Sequence, residues 1–421
     1  MERLPEVVIS GIGLVSPIGI GHQAAWEALC AGRSGIRPIG LFDASGLPVR
    51  IAGEVDGFSP KPYIAQRKSL KVMARDSQIG VAATVLACQD AAVRPGSVDP
   101  ERFGVLLGAD RIAGSAEESE LPYRSCMVDG RFDYRLWGSQ GLANSFPLSF
   151  LRVLPNMIAS HVSIAHDARG PNNTIHQAEV SSLLAITEAV RVIQRGAADV
   201  MIAGGASSRM TPYDWASHCA LGRLSTRTDD PAAVVRPFDA DRDGEAYGEG
   251  AAAFLLESRR HAEARGATIR ARFLGSGAAC EPYNGRVAQG NGLRRAMMTA
   301  MQEAGLTAGD LGHVNAHGVS TVVDDAIEAR ALRDLLPEVP VTAPKSYFGN
   351  LGAAGGAVEM AVSVLSFVHG LVPVTLNYRR PDPDCPVRLI AREPLAAAPR
   401  ALLINWTPAG QAAAIVLAGA D

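Results

Sequence analysis

The sequence predicts an α/β fold, and three observations carry that prediction. Apolar, β-rich runs alternate with amphipathic stretches of helical spacing along the whole chain. The elements recur in a similar order on both sides of a charged stretch near residue 260. The composition is rich in Gly and poor in aromatics, with 43 glycines and 5% aromatic residues in 421, which suits close packing of helices on a sheet.

Each element has its own signal. Residues 6–15 are an apolar run ended by Gly and Pro17, and HQAAWEALCAG (22–32) has helical spacing with Gly32 as a C-cap. A second helix is predicted over 77–92, with Ile79, Val81, Ala82, Val85 and Leu86 on one face, followed by the strand RFGVLLG (102–108). Residues 109–150 read as irregular and polar, a functional excursion rather than a connector. ADVMIAGGAS (198–207) and AAAFLLES (251–258) are strands, and the charged run 259–267 separates the halves, 1–258 and 259–421. The second half runs from the strand TIRARFLGSG (268–277) through a helix over 291–304, the strand HVNAHG (313–318) and a helix over 323–335. A Gly/Ala-rich helix after Gly349 and the strands ALLINW (401–406) and AAIVLAG (413–419) close it. No strong internal repeat is visible at the level of letters.

Composition excludes several function classes. Forty basic and 43 acidic residues give a net charge of −3, so no global basic field points to nucleic acid. The six cysteines (Cys30, Cys88, Cys126, Cys219, Cys280, Cys385) show no C-x-x-C or metal-ligand spacing, and scattered single thiols suit a reducing compartment. His161, His166 and His176 show no metal spacing either and read as structural. The N-terminus leads straight into a strand, without a charged region followed by an apolar one, and no apolar run reaches the length of a membrane span. The expectation is a cytoplasmic protein with no membrane partner and no metal.

Four segments carry chemistry. In GPNNTIHQAEVSSLLAITEAVRVI (170–193) an extended stretch turns at Gln177–Glu179 into an amphipathic helix. A side chain at such a turn gains from the helix dipole and from free backbone N–H groups. VNAHGVSTVVDDAIEARAL (314–332) places His317 at a strand end before a helix. APKSYFGNLGAAGGAVEM (343–360) sets Lys345, one of only four lysines, and Asn350 among Gly and Ala. RPFDADRDGEAYGEGAAAFLLES (236–258) is a turn-rich acidic stretch feeding a strand.

In this order and spacing, the four segments resemble the β-ketoacyl-ACP synthase family, the condensing enzymes of fatty-acid and type II polyketide synthesis. The LFDASGLPVRIAGEV and GRLSTRTDDP stretches add to the likeness, which covers nearly the whole chain. The resemblance implies a thiolase-like five-layer fold of two similar halves. It also implies a dimer formed through the central sheet and no cofactor beyond the phosphopantetheine arm of an acyl carrier protein. The family's catalytic Cys falls at Glu179, its first His at His317, its Lys at Lys345, its second His at Asn350 and the following acid at Glu359. Val319 stands where the family usually has Thr. The C-terminal turn reads NWTPAGQ (405–411), without the family's gating Phe, and the irregular stretch near 120–146 is longer than in the bacterial elongating enzymes. Lys61, Arg67, Lys68, Lys71 and Arg75 sit where the family's carrier-protein contact often lies; a solvated helix face is the plain alternative.

A carboxylate is a poor nucleophile toward a thioester, and its mixed anhydride hydrolyses readily, whereas a thiolate is abundant and reactive near neutral pH. Acyl loading at Glu179 is therefore not expected. An ionised Glu179 would oppose a malonyl carboxylate by roughly 4 kcal/mol at contact distance for an effective dielectric near 20. A helix N-terminus favours that anion by roughly 0.3–1 kcal/mol, and burial opposes it. Some family members carry Gln at this position and decarboxylate malonyl-ACP. Glu179 could pair with Lys345, or Lys345 with Glu359; Cys219 and Cys126 are poorly placed as substitute nucleophiles. The expected function is that of a chain-length factor: a non-condensing subunit that pairs with a Cys-bearing ketosynthase and shapes the tunnel for an ACP-bound chain. The alternatives are a malonyl-ACP decarboxylase or modified acyltransferase using Glu179 and His317, and an acyl-binding homodimer without turnover.

Overall fold

The computed structural model describes residues 4–94, 96–114, 116–282 and 288–420. Among the described residues the main sheet has eleven strands: ten make two ladders of five, and the two-residue strand Gly19–Ile20 pairs back on the end of the first strand. The first half contributes β1 (Val7–Ser16), β2 (Phe103–Ala109), β3 (Asn172–Ile175), β4 (Val200–Ser208) and β5 (Glu249–Ser258). The second contributes β6 (Ala271–Cys280), β7 (His313–Asn315), β8 (Val341–Thr342), β9 (Arg400–Trp406) and β10 (Gln411–Gly419). The spatial order is β3-β2-β4-β5-β1 in one half and β8-β7-β9-β10-β6 in the other, so each half arranges its own strands as third, second, fourth, fifth, first. The pairings repeat too: the first two contacts are parallel and the last two antiparallel in both. The ladders join where β1 pairs with β6, Val8 opposite Arg272 and Ile9 opposite Ala271.

Helices fill three layers around these ladders: α1 (His22–Cys30), α2 (Arg75–Asp90), α3 (Met157–His166), α4 (Ser181–Gln194), α5 (Asn291–Ala304), α6 (Val322–Leu335) and α7 (Gly355–His369). Alternate strand residues face opposite sides. In the first half, Val105 and Leu107 pack toward α2 and α3, and Leu106 toward α4 and α7. In the second half, Leu402 and Ile404 pack toward α5 and α6, and Leu403 toward the same central pair. The result is the five-layer arrangement expected, and covering both faces explains strands that are apolar throughout. Helix α7 is buried at every position from Gly355 to Ser366. The stretch Gly352–His369 is in fact long and apolar enough to cross a membrane, contrary to the sequence reading, but 83% of it is buried inside the protein. It is a central core helix.

Boundaries shift by a few residues. The strand read at 268–277 runs from Ala271 to Cys280, and the helix read at 77–92 starts two residues earlier, at Arg75. The excursion after β2 is more ordered than its polarity suggested: it holds a helix, Ala116–Arg124, and a small hairpin pairing Met127–Val128 with Arg131–Phe132. Tyr123, Phe132 and Trp137 pack ring against ring there. Helix α3 and the helix Pro212–Ala220 were not anticipated, because each is short and flanked by loop-like sequence.

Candidate functional site

The turn between β3 and α4 is a strained elbow. Ala178 lies at φ 50°, in the left-handed region that a side chain disfavours. Ser181 Oγ holds the turn by donating to the Ala178 carbonyl at 2.6 Å and accepting from the Gln177 N–H at 2.8 Å. The helix start sits tight on the sheet because Gly108 has no side chain; a Cβ there would lie 2.5 Å from Ser182 N. Glu179 emerges from this elbow with its side chain 14% exposed.

Glu179 does not meet Lys345. Its partner is Arg209, just beyond the end of β4, at 3.5 Å from Nη2 to Oε1. Arg209 is held more closely by Asp110, through Nε at 2.9 Å and Nη2 at 2.8 Å. Ser207 Oγ donates to the same Asp110 oxygen at 3.1 Å. The guanidinium lies over the Tyr247 ring, 4.7 Å from its centroid. Gly352 makes this possible, since a Cβ there would lie 2.7 Å from Arg209 Nη2. Burial works against the Arg209 charge, but Asp110 and then Glu179 raise its pKa above the ordinary value. Burial likewise pushes Asp110 up, and Arg209 with several hydrogen bonds outweighs it, leaving that carboxyl below its usual range.

Lys345 belongs to a separate set. Its ammonium contacts Glu359 Oε1 and lies 3.0 Å from His317 Nδ1. The ammonium can only donate, so Nδ1 accepts and the imidazole carries its proton on Nε2. Burial, Lys345 and Arg223 all hold His317 well below its normal pKa, so the ring is neutral. The Glu328 carboxyl, whose pKa burial raises to about 8, fixes the loop by accepting from the N–H groups of His317 at 2.7 Å and Gly318 at 2.9 Å. Glu359 is completed by Asn405 Nδ2 at 2.6 Å; burial raises its pKa and Lys345 opposes the rise.

Asn350 is bound at both ends of its amide. Nδ2 donates to Glu245 Oε2 at 2.7 Å and Oδ1 accepts from Gly352 N–H at 3.0 Å. Glu245 is buried beside Arg223, whose Nε reaches it at 2.9 Å and whose Nη2 reaches Asp324 at 2.6 Å. Burial raises the Glu245 pKa, and the Glu179 charge adds to the rise. Trp406, from the NWTPAGQ turn, is 2% exposed, and its ring stands 6.4 Å from that of His317. Of the four positions singled out in the sequence, Glu179 lies at the elbow, His317 just past β7, Lys345 at the start of the short helix Lys345–Phe348 and Asn350 just after it. The sequence reading missed Arg209, Asp110 and Glu245, the groups that decide the site's charge. The available signal was a charged residue at the end of each buried strand, Arg209 after VMIAGGASS and Asp110 after FGVLLGA.

The other candidates separate clearly. Lys61, Arg67, Lys68 and Lys71 are exposed. Arg75 does not join them: its guanidinium binds buried Glu249 through Nε and Nη2, both at 2.6 Å, and stacks on Phe58 at 5.5 Å. Cys126 is buried in the turn after Ala116–Arg124 and Cys219 is half-buried in Pro212–Ala220, neither at the elbow. His176 Nδ1 bonds the Ala109 carbonyl at 2.9 Å and His166 bonds Thr84 at 3.1 Å, as structural histidines do. His161 is buried on α3. Among the described residues no group of three or more His, Cys, Asp or Glu is arranged to hold a metal ion.

The β-ketoacyl synthase N-terminal domain matches residues 5–262 and the β-ketoacyl synthase C-terminal domain matches residues 270–379. The chain belongs to the β-ketoacyl synthase family. It is 36% identical to the 3-oxoacyl-[acyl-carrier-protein] synthase 2 of Vibrio cholerae, over 91% of each chain. It is also 36% identical to the granaticin polyketide putative β-ketoacyl synthase 1 of Streptomyces violaceoruber, over 92% of each. The solved ishigamide ketosynthase/chain length factor superposes with a TM-score of 0.88 at 27% identity, covering all of both chains. In this ketosynthase-family chain the elbow carries a carboxylate facing an arginine.

Proposed function

We propose that this chain is a non-condensing ketosynthase subunit, a chain-length factor, which pairs with a Cys-bearing ketosynthase and helps house an acyl chain carried on an acyl carrier protein. The observation that carries the reading is the state of the elbow. The nucleophile position holds Glu179, facing Arg209 at 3.5 Å, and the second His position holds Asn350, tied to Glu245. A carboxylate is a poor nucleophile toward a thioester, and a neighbouring guanidinium weakens it further, so no acyl-enzyme forms here. The scaffold is otherwise kept, with His317, Lys345 and Glu359 bound to one another in the core. The likeness to a ketosynthase/chain length factor structure supports the reading. So do the open edge of β3, a ready site for strand pairing, and the excursion after β2, which exposes Leu121, Tyr123, Tyr134 and Leu142.

The test is co-expression with a Cys-bearing ketosynthase encoded beside it. A stable 1:1 complex is expected, with elongation depending on the partner's Cys. A chain that forms only homodimers in the presence of that partner would refute the reading. The malonyl-ACP decarboxylase reading draws support from one observation, the neutral His317 with its proton on Nε2. It requires acetyl-ACP to accumulate when the isolated chain meets malonyl-ACP; the Glu179 carboxylate opposes this.

A further inference from the structure

Arg242, the other buried arginine among the described residues, donates from all three of its nitrogens, whereas Arg209 uses its donors unevenly. Nε and Nη2 are committed to Asp110 at 2.9 and 2.8 Å. The contact from Nη2 to Glu179 is 3.5 Å long, at the outer limit of a hydrogen bond. Among the described residues, Nη1 has no hydrogen-bond partner. The side chain is nine-tenths buried and its face is fixed on Tyr247, so the guanidinium cannot turn away. A guanidinium is built to take a carboxylate through two parallel bonds. Asp110 has the tight, positioning place; Glu179 has the loose one, on the side of the elbow, where its own side chain retains some exposure.

We propose that Arg209 is the centre of a carboxylate-binding site that Glu179 occupies from within the chain, standing where the free carboxylate of a short dicarboxylate half-thioester would sit and keeping such ligands out. The ligand class rests on the ketosynthase-subunit reading; the geometry of the site does not. Arg209 is then a specificity residue masked by Glu179, and the masking makes the elbow selective against carboxylate-bearing acyl groups.

The test uses the full chain as wild type, Glu179→Gln, and Glu179→Gln combined with Arg209→Gln or Arg209→Lys. Binding of the malonyl monothioester of N-acetylcysteamine is measured by calorimetry, with the acetyl thioester as the control lacking a carboxylate. Glu179→Gln is expected to bind the malonyl thioester at least about tenfold more tightly than wild type, since a like charge has gone from contact range, with the acetyl thioester unchanged. The gain should vanish with Arg209→Gln and fall with Arg209→Lys, which keeps the charge and loses the paired donors. An equal gain for both thioesters, a gain that survives loss of Arg209, or no gain at all would overturn the inference. Should the Arg209→Gln double variant fail to fold, the Lys double variant decides alone. Co-purification with the Cys-bearing partner is scored on the same proteins. A Glu179→Gln chain that pairs but gains no malonyl binding refutes this inference only. A chain that gains binding but ignores the partner refutes only the subunit reading.

Discussion

Lys345, a single lysine among Gly and Ala, shows what a buried charge demands. Its side chain is 1% exposed and that of Glu359 is 3% exposed. Each desolvated charge is acceptable only because the other is present, with His317 and Asn405 completing the set. Lys345→Met should therefore cost about 3–5 kcal/mol by urea unfolding, because it strands the Glu359 carboxylate. Adding Glu359→Met should restore most of that loss, since two matched charges leave together. If the double variant is no more stable than the single one, the pair is not what holds this corner. That Lys345 is buried was legible from its apolar neighbours. Its choice of Glu359 over Glu179 was not, because sequence spacing does not say which acid a side chain reaches.

At the scale of elements, the two halves share a device hidden in different letters. In β1, Gly11 and Gly13 face Ala83, Ala87 and Ala91 at the end of α2; in β6, Gly275 and Gly277 face Ala296, Ala300 and Ala304 at the end of α5. Each strand also shifts register just before the first of its two glycines. A Cβ at Gly13 would collide with the Ala83 carbonyl, and one at Gly277 with the Ala296 carbonyl. Those atoms are helix backbone and cannot swing aside. Gly13→Ala and Gly277→Ala should each cost at least about 1–3 kcal/mol, the usual penalty of overpacking. Gly46→Ala, where nothing lies within 4 Å, should be nearly neutral. Thermal melts of the three variants check this, and equal losses at all three would mean that close approach is not the cause. Gly-x-Gly in a strand against Ala at every fourth place in a helix is the shared device, and it leaves little letter-for-letter identity between the halves.

For the molecule as a whole, the buried acids set the pH response. Asp76, at the start of α2, accepts from Ser208 N–H at 2.6 Å and so ties the outer helix to the end of β4. Burial raises its pKa from 3.8 to about 7, the Ser208 bond opposes the rise, and nearby Asp110 and Glu249 add to it. In the unfolded chain the group ionises near pH 4; in the folded chain it keeps its proton until about pH 7. Its contribution to stability is therefore fully present below pH 4 and is lost as pH rises toward 7, on the order of a few kcal/mol. Asp76→Asn should flatten the fall in unfolding free energy between pH 4 and 7. An unchanged slope in that variant would assign the fall to other groups.

The sequence by itself determined the α/β alternation, because periodicity and turn residues act locally; the five-layer frame and the attention to Glu179, His317, Lys345 and Asn350 came through the family resemblance that its four motifs carry. The sequence also determined that no thiol stands at the elbow. The tertiary structure decided which charges meet there. Arg209 lies 30 residues from Glu179 and 99 from Asp110 along the chain, and only the parallel pairing of β2 with β4 brings the last two together. Burial makes such meetings decisive: in a desolvated corner a carboxylate is defined by its partner, and partners across a sheet are set by the order of the strands.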